Sequence, residues 1–117
     1  MADFDAENAI VKESKITDYL LALDHRIGGP KARYFRSFGF DPSRPEEFAH
    51  ALREHARSQR VGEEEDTGYG TKWTVEGTLK CPDGRSPSIR TVWMLDTDAE
   101  FPRLVTAYPL QSPEIDA

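Results

Sequence analysis

The sequence predicts an α+β domain in which three N-terminal helices pack on one face of an antiparallel meander sheet of three to four strands. Two observations support this fold class. In the first half of the chain, apolar residues recur at the three-to-four-residue spacing of helices. From Thr71 onward the apolar period changes to two, the period of strands, and turn residues separate the segments. A block of helices followed by a block of strands is typical of α+β domains.

Three segments carry helix signals. The first spans residues 14–23 and opens with a serine, which often caps helices. The second spans residues 28–39, with proline suited to its first turn and glycine to its end. The third spans residues 43–62 and begins with a capping-box pattern. The predicted core residues of these helices are Ile16, Tyr19, Leu20, Leu23, Phe35, Phe38, Phe48, Ala51, Leu52, His55 and Ala56, with His55 interpreted as a packed histidine rather than a catalyst.

Three later segments alternate as strands do: residues 71–80, 88–95 and 103–108. The second is apolar on both sides, so we expect it at the centre of the sheet. Trp73 and Trp93 are expected in the core.

Two further segments lie outside these predicted helices and strands. Residues 1–13 can supply a fourth strand or a packed arm, and both alternatives stay open. The charge run Glu63–Asp66 is expected to form a solvated, mobile loop.

Length and composition predict one soluble domain covering residues 1–117, with an ordered core of about residues 4–110 and a polar tail at 111–117. Hydrophobic residues make up 38% and charged residues 31% of the chain, a globular balance. No apolar run reaches membrane-spanning length, and the acidic start lacks a signal-peptide pattern. We therefore expect a cytoplasmic or delivered protein with no membrane partner. Cys81 is the single cysteine, so no internal disulfide can form. We also expect no metal and no cofactor.

Charge is distributed unevenly along the chain. The net charge of −6 disfavours RNA binding driven by bulk charge. Residues 25–62, however, hold eight Lys or Arg against four Asp or Glu. This segment predicts either one basic patch on an acidic body or helices with solvated arginines.

The corner before the second helix is the candidate anion site. Gly28 and Gly29 leave backbone N–H groups uncovered, and His25, Lys31 and Arg33 flank them. A helix start with bare amides and nearby cations suits a phosphate or a carboxylate. The alternative is an ordinary corner between helices whose cations are only solvated.

The chain resembles the small bacterial DUF6883 family, a domain family of unknown function. The residues that carry this resemblance are Tyr19-Leu20-Leu21, His25, Gly28-Gly29, Lys31-Ala32, Phe35, Gly39, Arg90-Thr91-Val92-Trp93 and Arg103-Leu104-Val105-Thr106-Ala107-Tyr108-Pro109. The chain also resembles, more weakly, the metal-independent ribonuclease toxins of the barnase/EndoU/colicin/RelE-like group. That second resemblance implies an active site on the sheet, with Thr106 and Tyr108 matching the terminal strand and with His25, Lys31 and Arg90 matched by residue type.

RNA cleavage without a metal needs a base, an acid and a cation that stabilises the phosphorane. His25 is the predicted acid or base, since histidine titrates near neutral pH. Lys31 and Arg90 are predicted to hold the phosphate, and Tyr108 to stack on a base or donate a proton. Thr106 completes the predicted catalytic set; Gly28, Gly29, Arg33 and Arg103 are the predicted substrate-binding residues.

Strand geometry limits which of these residues can meet. Thr106 and Tyr108 are two apart and share a sheet face. Arg103 is three residues from Thr106, so we expect it on the other side of the strand. One of the two arginines, Arg90 or Arg103, is therefore expected to be structural.

Two function hypotheses follow. The first is a ribonuclease toxin of a toxin–antitoxin or polymorphic toxin system, with RNA and a cognate antitoxin or immunity protein as partners. The second is a non-catalytic binding module such as an antitoxin, immunity or adaptor protein, which the net acidity favours.

Overall fold

The computed structural model describes residues 4–24, 29–58 and 61–110. The helical part comprises a short helix α1 (Glu13–Lys15), a π-helical turn (Ile16–Leu20), α2 (Gly29–Arg36) and α3 (Pro45–Ser58). The strands are β1 (Val61–Asp66), β2 (Gly70–Thr78), β3 (Ser88–Asp96) and β4 (Arg103–Pro109). They form one antiparallel sheet in the order β1-β2-β3-β4, so the predicted α+β class and the meander are confirmed.

The helices are shorter than predicted. The first helical segment ends at Leu20 rather than Leu23, and Lys12, not Ser14, stands at the cap position without a capping side chain. Leu23 is 47% exposed, so its predicted place in the core was wrong. α3 ends at Ser58 rather than near Gly62. Its predicted capping serine, Ser43, instead donates from its amide and hydroxyl to the Asp41 carboxylate.

The fourth strand is β1, at the edge opposite β4. The prediction of a loop at Glu63–Asp66 was therefore wrong: these residues pair with β2 although every one of them is exposed. Gly68 and Gly70, at φ +87° and +151°, provide the hairpin turn that brings the two strands together. An edge strand tolerates such a charge run, and charges there discourage pairing with other chains. At the β4 edge, Ile10 forms a single parallel bridge with Arg103, so the N-terminal segment acts as an arm.

The core joins helical residues to one sheet face. Trp73 and Trp93 are 1% and 0% exposed, as predicted, and they pair across β2 and β3. The core cluster combines the helical residues Ile16, Leu20, Phe35, Phe48 and Leu52 with the strand residues Val75, Ile89, Trp93, Leu104 and Ala107. The packing of all three helices on one sheet face stays a prediction. Tyr19 of the π-helical turn and Lys31 of α2 also contact Thr106, whose side chain lies on the sheet face opposite the core.

A buried polar network connects α3 to the sheet. His55 is 2% exposed, which confirms its interpretation as a packed residue. Its Nδ1 lies 3.1 Å from the Thr78 carbonyl oxygen, and its Nε2 lies 3.0 Å from Thr91 Oγ1. A carbonyl can only accept, so Nδ1 carries the proton and the Thr91 hydroxyl donates to Nε2. Trp93 Nε1 in turn donates to Thr91 Oγ1 at 2.8 Å.

A bulge in β4 changes which side chains share a face. Val92 pairs with Thr106, but the next residue, Trp93, pairs with Leu104, which leaves Val105 without a partner. Residues that pair directly lie on the same face. Arg103, opposite Met94, therefore lies on the same face as Thr106 and Tyr108. The expectation that Arg103 points to the other side was wrong, because the extra residue reverses the alternation.

Gly70→Ala should destabilise the fold strongly. Gly70 begins β2 opposite Asp96, and a Cβ there would collide with the Leu95 carbonyl oxygen and lie 2.9 Å from Asp96 Cα. Backbone atoms cannot move aside as a flexible side chain can, so we expect a loss of about 2–4 kcal/mol in the free energy of unfolding, measured by urea denaturation. Gly68→Ala is the matched control, since Gly68 also has a positive φ but open space around it, and it should cost only about 1 kcal/mol. Equal losses would contradict the clash.

Candidate functional site

The centre of the candidate site is a three-residue contact between distant parts of the chain. Lys31 Nζ, in the first turn of α2, donates to Tyr19 Oη at 2.6 Å and to Thr106 Oγ1 at 3.1 Å. Tyr19 Oη and Thr106 Oγ1 are themselves 3.1 Å apart. The π-helical turn, α2 and β4 therefore meet at one ammonium group.

A second contact lies beside the first on the same sheet face. Arg90 of β3 pairs directly with Tyr108 of β4, and its guanidinium donates to Tyr108 Oη at 3.1 Å. Arg90 Nε also donates to the Glu76 carboxylate at 2.6 Å. Lys31 Nζ lies 5.8 Å from the centre of the Tyr108 ring, which joins the two contacts into one cluster. We call Tyr19, Lys31, Arg90, Thr106 and Tyr108 the lysine–tyrosine cluster.

Among the residues that the structure describes, Lys31 is the cation of this cluster that has no counter-ion. Within the described ranges 4–24, 29–58 and 61–110, no carboxylate lies within 4.0 Å of its Nζ. Its hydrogen-bond partners are the hydroxyl groups of Tyr19 and Thr106, and it also lies 5.0 Å from the centre of the Tyr19 ring. A half-buried ammonium held by hydroxyls leaves its charge available to an anion.

The pKa of Tyr19 is shifted below that of a free tyrosine. Burial is the largest single influence and would raise the pKa, but the hydrogen bonds from Lys31 and Thr106, together with the positive charges of Lys31 and Lys15, outweigh it. A phenol with a lowered pKa releases its proton more readily. Tyr19 is therefore suited to proton transfer at this point of the site.

An open groove continues from the cluster across the sheet toward β1. It encloses about 580 Å³, with Tyr108 and Arg90 at one side and Glu63, Glu65 and Lys72 at the other. Lys72 and Glu65 form an ion pair at 3.6 Å. The groove presents an aromatic ring and several hydrogen-bonding side chains to a ligand.

The structure brings together Lys31, Arg90, Thr106 and Tyr108, four of the five residues predicted to be catalytic. The fifth, His25, lies outside the described residues, as does Gly28. Tyr19 was missed as a site residue, since its spacing from Ile16 and Leu20 indicated the core. Tyr19 lies at the border of that apolar stripe, where the ring can pack while the hydroxyl stays hydrated. This position is the sequence signal that could have indicated a site residue.

The remaining predicted substrate-binding residues are not members of the cluster. Gly29 is buried, and a Cβ there would lie 2.9 Å from the Leu23 carbonyl oxygen, so close packing alone explains this glycine. Arg33 is exposed, and at two residues from Lys31 it lies on nearly the opposite side of α2. Arg103 donates to the Asp96 carboxylate at 2.8 and 3.2 Å, farther along the same sheet face.

Comparison with family models gives a match over residues 3–111 to DUF6883, described as a domain of unknown function. The chain belongs to this family. Comparison with curated proteins gave no match. The lysine–tyrosine cluster lies wholly inside the DUF6883 match.

A solved structure shares the fold of this DUF6883 domain. It is a chain of the contact-dependent growth inhibition toxin–immunity protein complex from Klebsiella pneumoniae 342, with 17% identity and a TM-score of 0.69. The similarity covers 92% of this chain and 97% of that chain. At this identity the comparison establishes the fold.

The described ranges contain no group of three or more His, Cys, Asp or Glu placed to hold a metal ion. None of the described helices has the length and apolar character to span a membrane.

Proposed function

We propose that this DUF6883 domain is a metal-independent ribonuclease that acts as the toxin of a toxin–immunity pair. The observation that carries the proposal is the lysine–tyrosine cluster, in which one ammonium without a described counter-ion stands between two phenols. Such a group can hold a phosphodiester with proton carriers on either side. The similarity in fold to a chain of a toxin–immunity complex supports the biological setting.

The proposed reaction is an internal transesterification of RNA. The ribose 2′-oxygen attacks phosphorus, its proton passes to a base, the bond from phosphorus to the 5′-oxygen breaks, and an acid protonates that oxygen. The products are a 2′,3′-cyclic phosphate and a 5′-hydroxyl, and no water or metal is consumed. Charge accumulates on the phosphorane oxygens in between, where a fixed cation has its largest effect.

The cluster provides a group for each step. Lys31 stabilises the phosphorane, and the Thr106 hydroxyl holds the ammonium in place. In its phenolate form, which the lowered pKa favours, Tyr19 accepts the 2′-proton and becomes a neutral phenol. Tyr108 receives a hydrogen bond from Arg90 and keeps its own O–H to donate to the leaving oxygen. His25 stays a predicted proton carrier from the sequence.

The groove next to Tyr108 would hold a base of the RNA. An aromatic ring at its rim can stack on any base, since every base has a π face. The carboxylates of Glu63 and Glu65 can accept hydrogen bonds from amino groups on a base edge. We therefore expect the cleaved RNA to be single-stranded at the site.

Tyr108→Phe tests the proposed function in cells and in vitro. The variant keeps the ring and removes the hydroxyl, so a proton donor is lost while stacking remains. We expect wild-type expression to arrest bacterial growth and degrade RNA, and the variant to cleave about 100-fold more slowly. Tyr69→Phe is the matched control, because Tyr69 is 82% exposed at the β1–β2 turn. Loss of its hydroxyl should leave the cleavage rate unchanged. Harmless wild-type expression with intact RNA would contradict the proposal.

The second candidate function is a non-catalytic immunity or adaptor module. The exposed acidic edge strand β1 favours it, because the four carboxylates of Glu63–Asp66 offer a surface for a basic partner. Co-purification with a basic nuclease, together with protection of RNA from that nuclease, would support this alternative over the toxin.

A further inference from the structure

A second cavity, separate from the groove, has Tyr19 in its lining. It encloses about 380 Å³ and is lined by Lys12, Lys15 and Arg103 together with Ser14 and Asp18. Tyr19 forms part of its wall, so the cavity adjoins the lysine–tyrosine cluster. Lys15 Nζ lies 5.4 Å from the centre of the Tyr19 ring, and Lys31 Nζ lies 5.0 Å from the same ring. Two ammonium groups thus flank one phenol, one in the cluster and one in the cavity.

The charges of this cavity favour an anion. Arg103 is neutralised by Asp96, and Asp18 is the carboxylate in the lining. Lys12 and Lys15 have no carboxylate within 4.0 Å among the residues that the structure describes. The groove beside Tyr108 has the reverse balance, with Glu63, Glu64 and Glu65 against the two cations Lys72 and Arg90. A polyanion leaving the cluster is therefore attracted toward Lys12 and Lys15 and repelled from β1.

The spacing also suits a nucleic-acid strand. The pairs Val92–Thr106 and Met94–Arg103 are successive rows of the open sheet face. Rows two residues apart are separated by about 6.8 Å along a strand. Neighbouring phosphates of an extended RNA strand have a similar separation, so a phosphate at Lys31 would place the next one near the cavity.

We propose that the cavity lined by Lys12 and Lys15 binds a second phosphate of the RNA strand, adjacent to the phosphodiester held at Lys31. This inference rests on the proposed function and adds the direction of the backbone: the strand runs from the cluster toward α1, with a base in the groove. It predicts that the domain prefers longer oligonucleotides to a dinucleotide, because a dinucleotide has a single phosphate.

The test uses the full chain made by cell-free translation. Binding is measured by fluorescence anisotropy with 2′-O-methyl oligonucleotides, which cannot be cleaved because the attacking oxygen is blocked. Wild type should bind a pentanucleotide about tenfold more tightly than a dinucleotide. The double variant Lys12→Gln/Lys15→Gln should bind the dinucleotide as tightly as wild type does. It should not bind the pentanucleotide more tightly than the dinucleotide. For the pentanucleotide, the slope of log affinity against log salt should be smaller by about 0.7 in this variant, since a single strand gives about 0.7 per phosphate contact and one phosphate contact is lost.

The matched control removes two positive charges elsewhere. Arg57 on α3 and Lys80 after β2 are exposed and lie outside both the cluster and the cavity. Arg57→Gln/Lys80→Gln should therefore keep the preference for the pentanucleotide, and thermal unfolding checks that each variant is folded.

Cleavage of unmodified RNA, measured in parallel, separates the two proposals. Cleavage with an unchanged length preference in the Lys12/Lys15 variant would overturn the phosphate subsite and leave the ribonuclease standing. If the Lys12/Lys15 variant loses the length preference but wild type does not cleave RNA, the subsite is supported and the ribonuclease is overturned. Failure of wild type both to bind either oligonucleotide and to cleave unmodified RNA would overturn both proposals.

Discussion

Lys31→Met is expected to reduce RNA cleavage by about 100- to 1,000-fold, the effect of removing one fixed group that stabilises transition-state charge. Methionine keeps most of the volume and removes the ammonium. Tyr19 Oη and Thr106 Oγ1 stay 3.1 Å apart and can bond to each other, so no buried hydroxyl is left without a partner. The variant should therefore fold, and the loss should appear in kcat rather than in the free energy of unfolding.

The matched control for Lys31 is Lys80→Met. Lys80 is exposed near α3, away from the lysine–tyrosine cluster, and its removal changes the net charge by the same amount. Cleavage rates are measured on a fluorogenic RNA at saturating substrate. If Lys31→Met and Lys80→Met cleave equally well, the ammonium has no part in the reaction.

His55→Ala should cost about 3 kcal/mol or more in the free energy of unfolding. The substitution opens a cavity between α3 and the sheet and leaves Thr91 and the Thr78 carbonyl without their buried partner. Urea denaturation at pH 8 measures the loss. His50→Ala, on the exposed side of the same helix, should change stability by less than about 0.5 kcal/mol. Similar values for the two variants would contradict the network.

The same histidine should make stability depend on pH. Burial lowers the pKa of His55 below its ordinary value, against smaller opposing effects from the backbone of Thr78 and Val75. The unfolded chain therefore binds a proton at a higher pH than the folded chain. The contribution of neutral His55 to the free energy of unfolding is complete above a pH of about 6.5, the pKa of a free histidine. It is lost as the pH falls from there toward the lower pKa of His55 in the folded state. Wild type should lose stability between pH 7 and 5.5, and His55→Ala should show a flatter dependence over that range.

Local periodicity accounts for what the sequence could predict of the fold. Trp73 and Trp93 fall on the buried side of alternating strands, and the stripe from Phe48 to Ala56 recurs at helical spacing; both predictions are confirmed. β1 was missed because its composition is that of a loop. The hairpin turn and the pairing with β2 decide its structure, and these are contacts outside the segment.

The site was predictable by residue type but not by position. Lys31 and Thr106 are 75 residues apart in sequence, and no local pattern indicates that they meet. Tyr19 carries an apolar spacing and was therefore assigned to the core. Arg103 was placed on the wrong face because the alternation of a strand holds only until a bulge inserts an unpaired residue, here Val105.

The most direct test of the account is the chemistry of the RNA ends produced without a metal. The purified full chain is incubated with single-stranded RNA in excess EDTA, and the products are analysed by mass spectrometry. We expect 2′,3′-cyclic phosphate and 5′-hydroxyl ends from wild type and none from Lys31→Met. Intact RNA in EDTA, or cleavage that needs a divalent metal and leaves 5′-phosphates, would contradict the lysine–tyrosine cluster as a ribonuclease site.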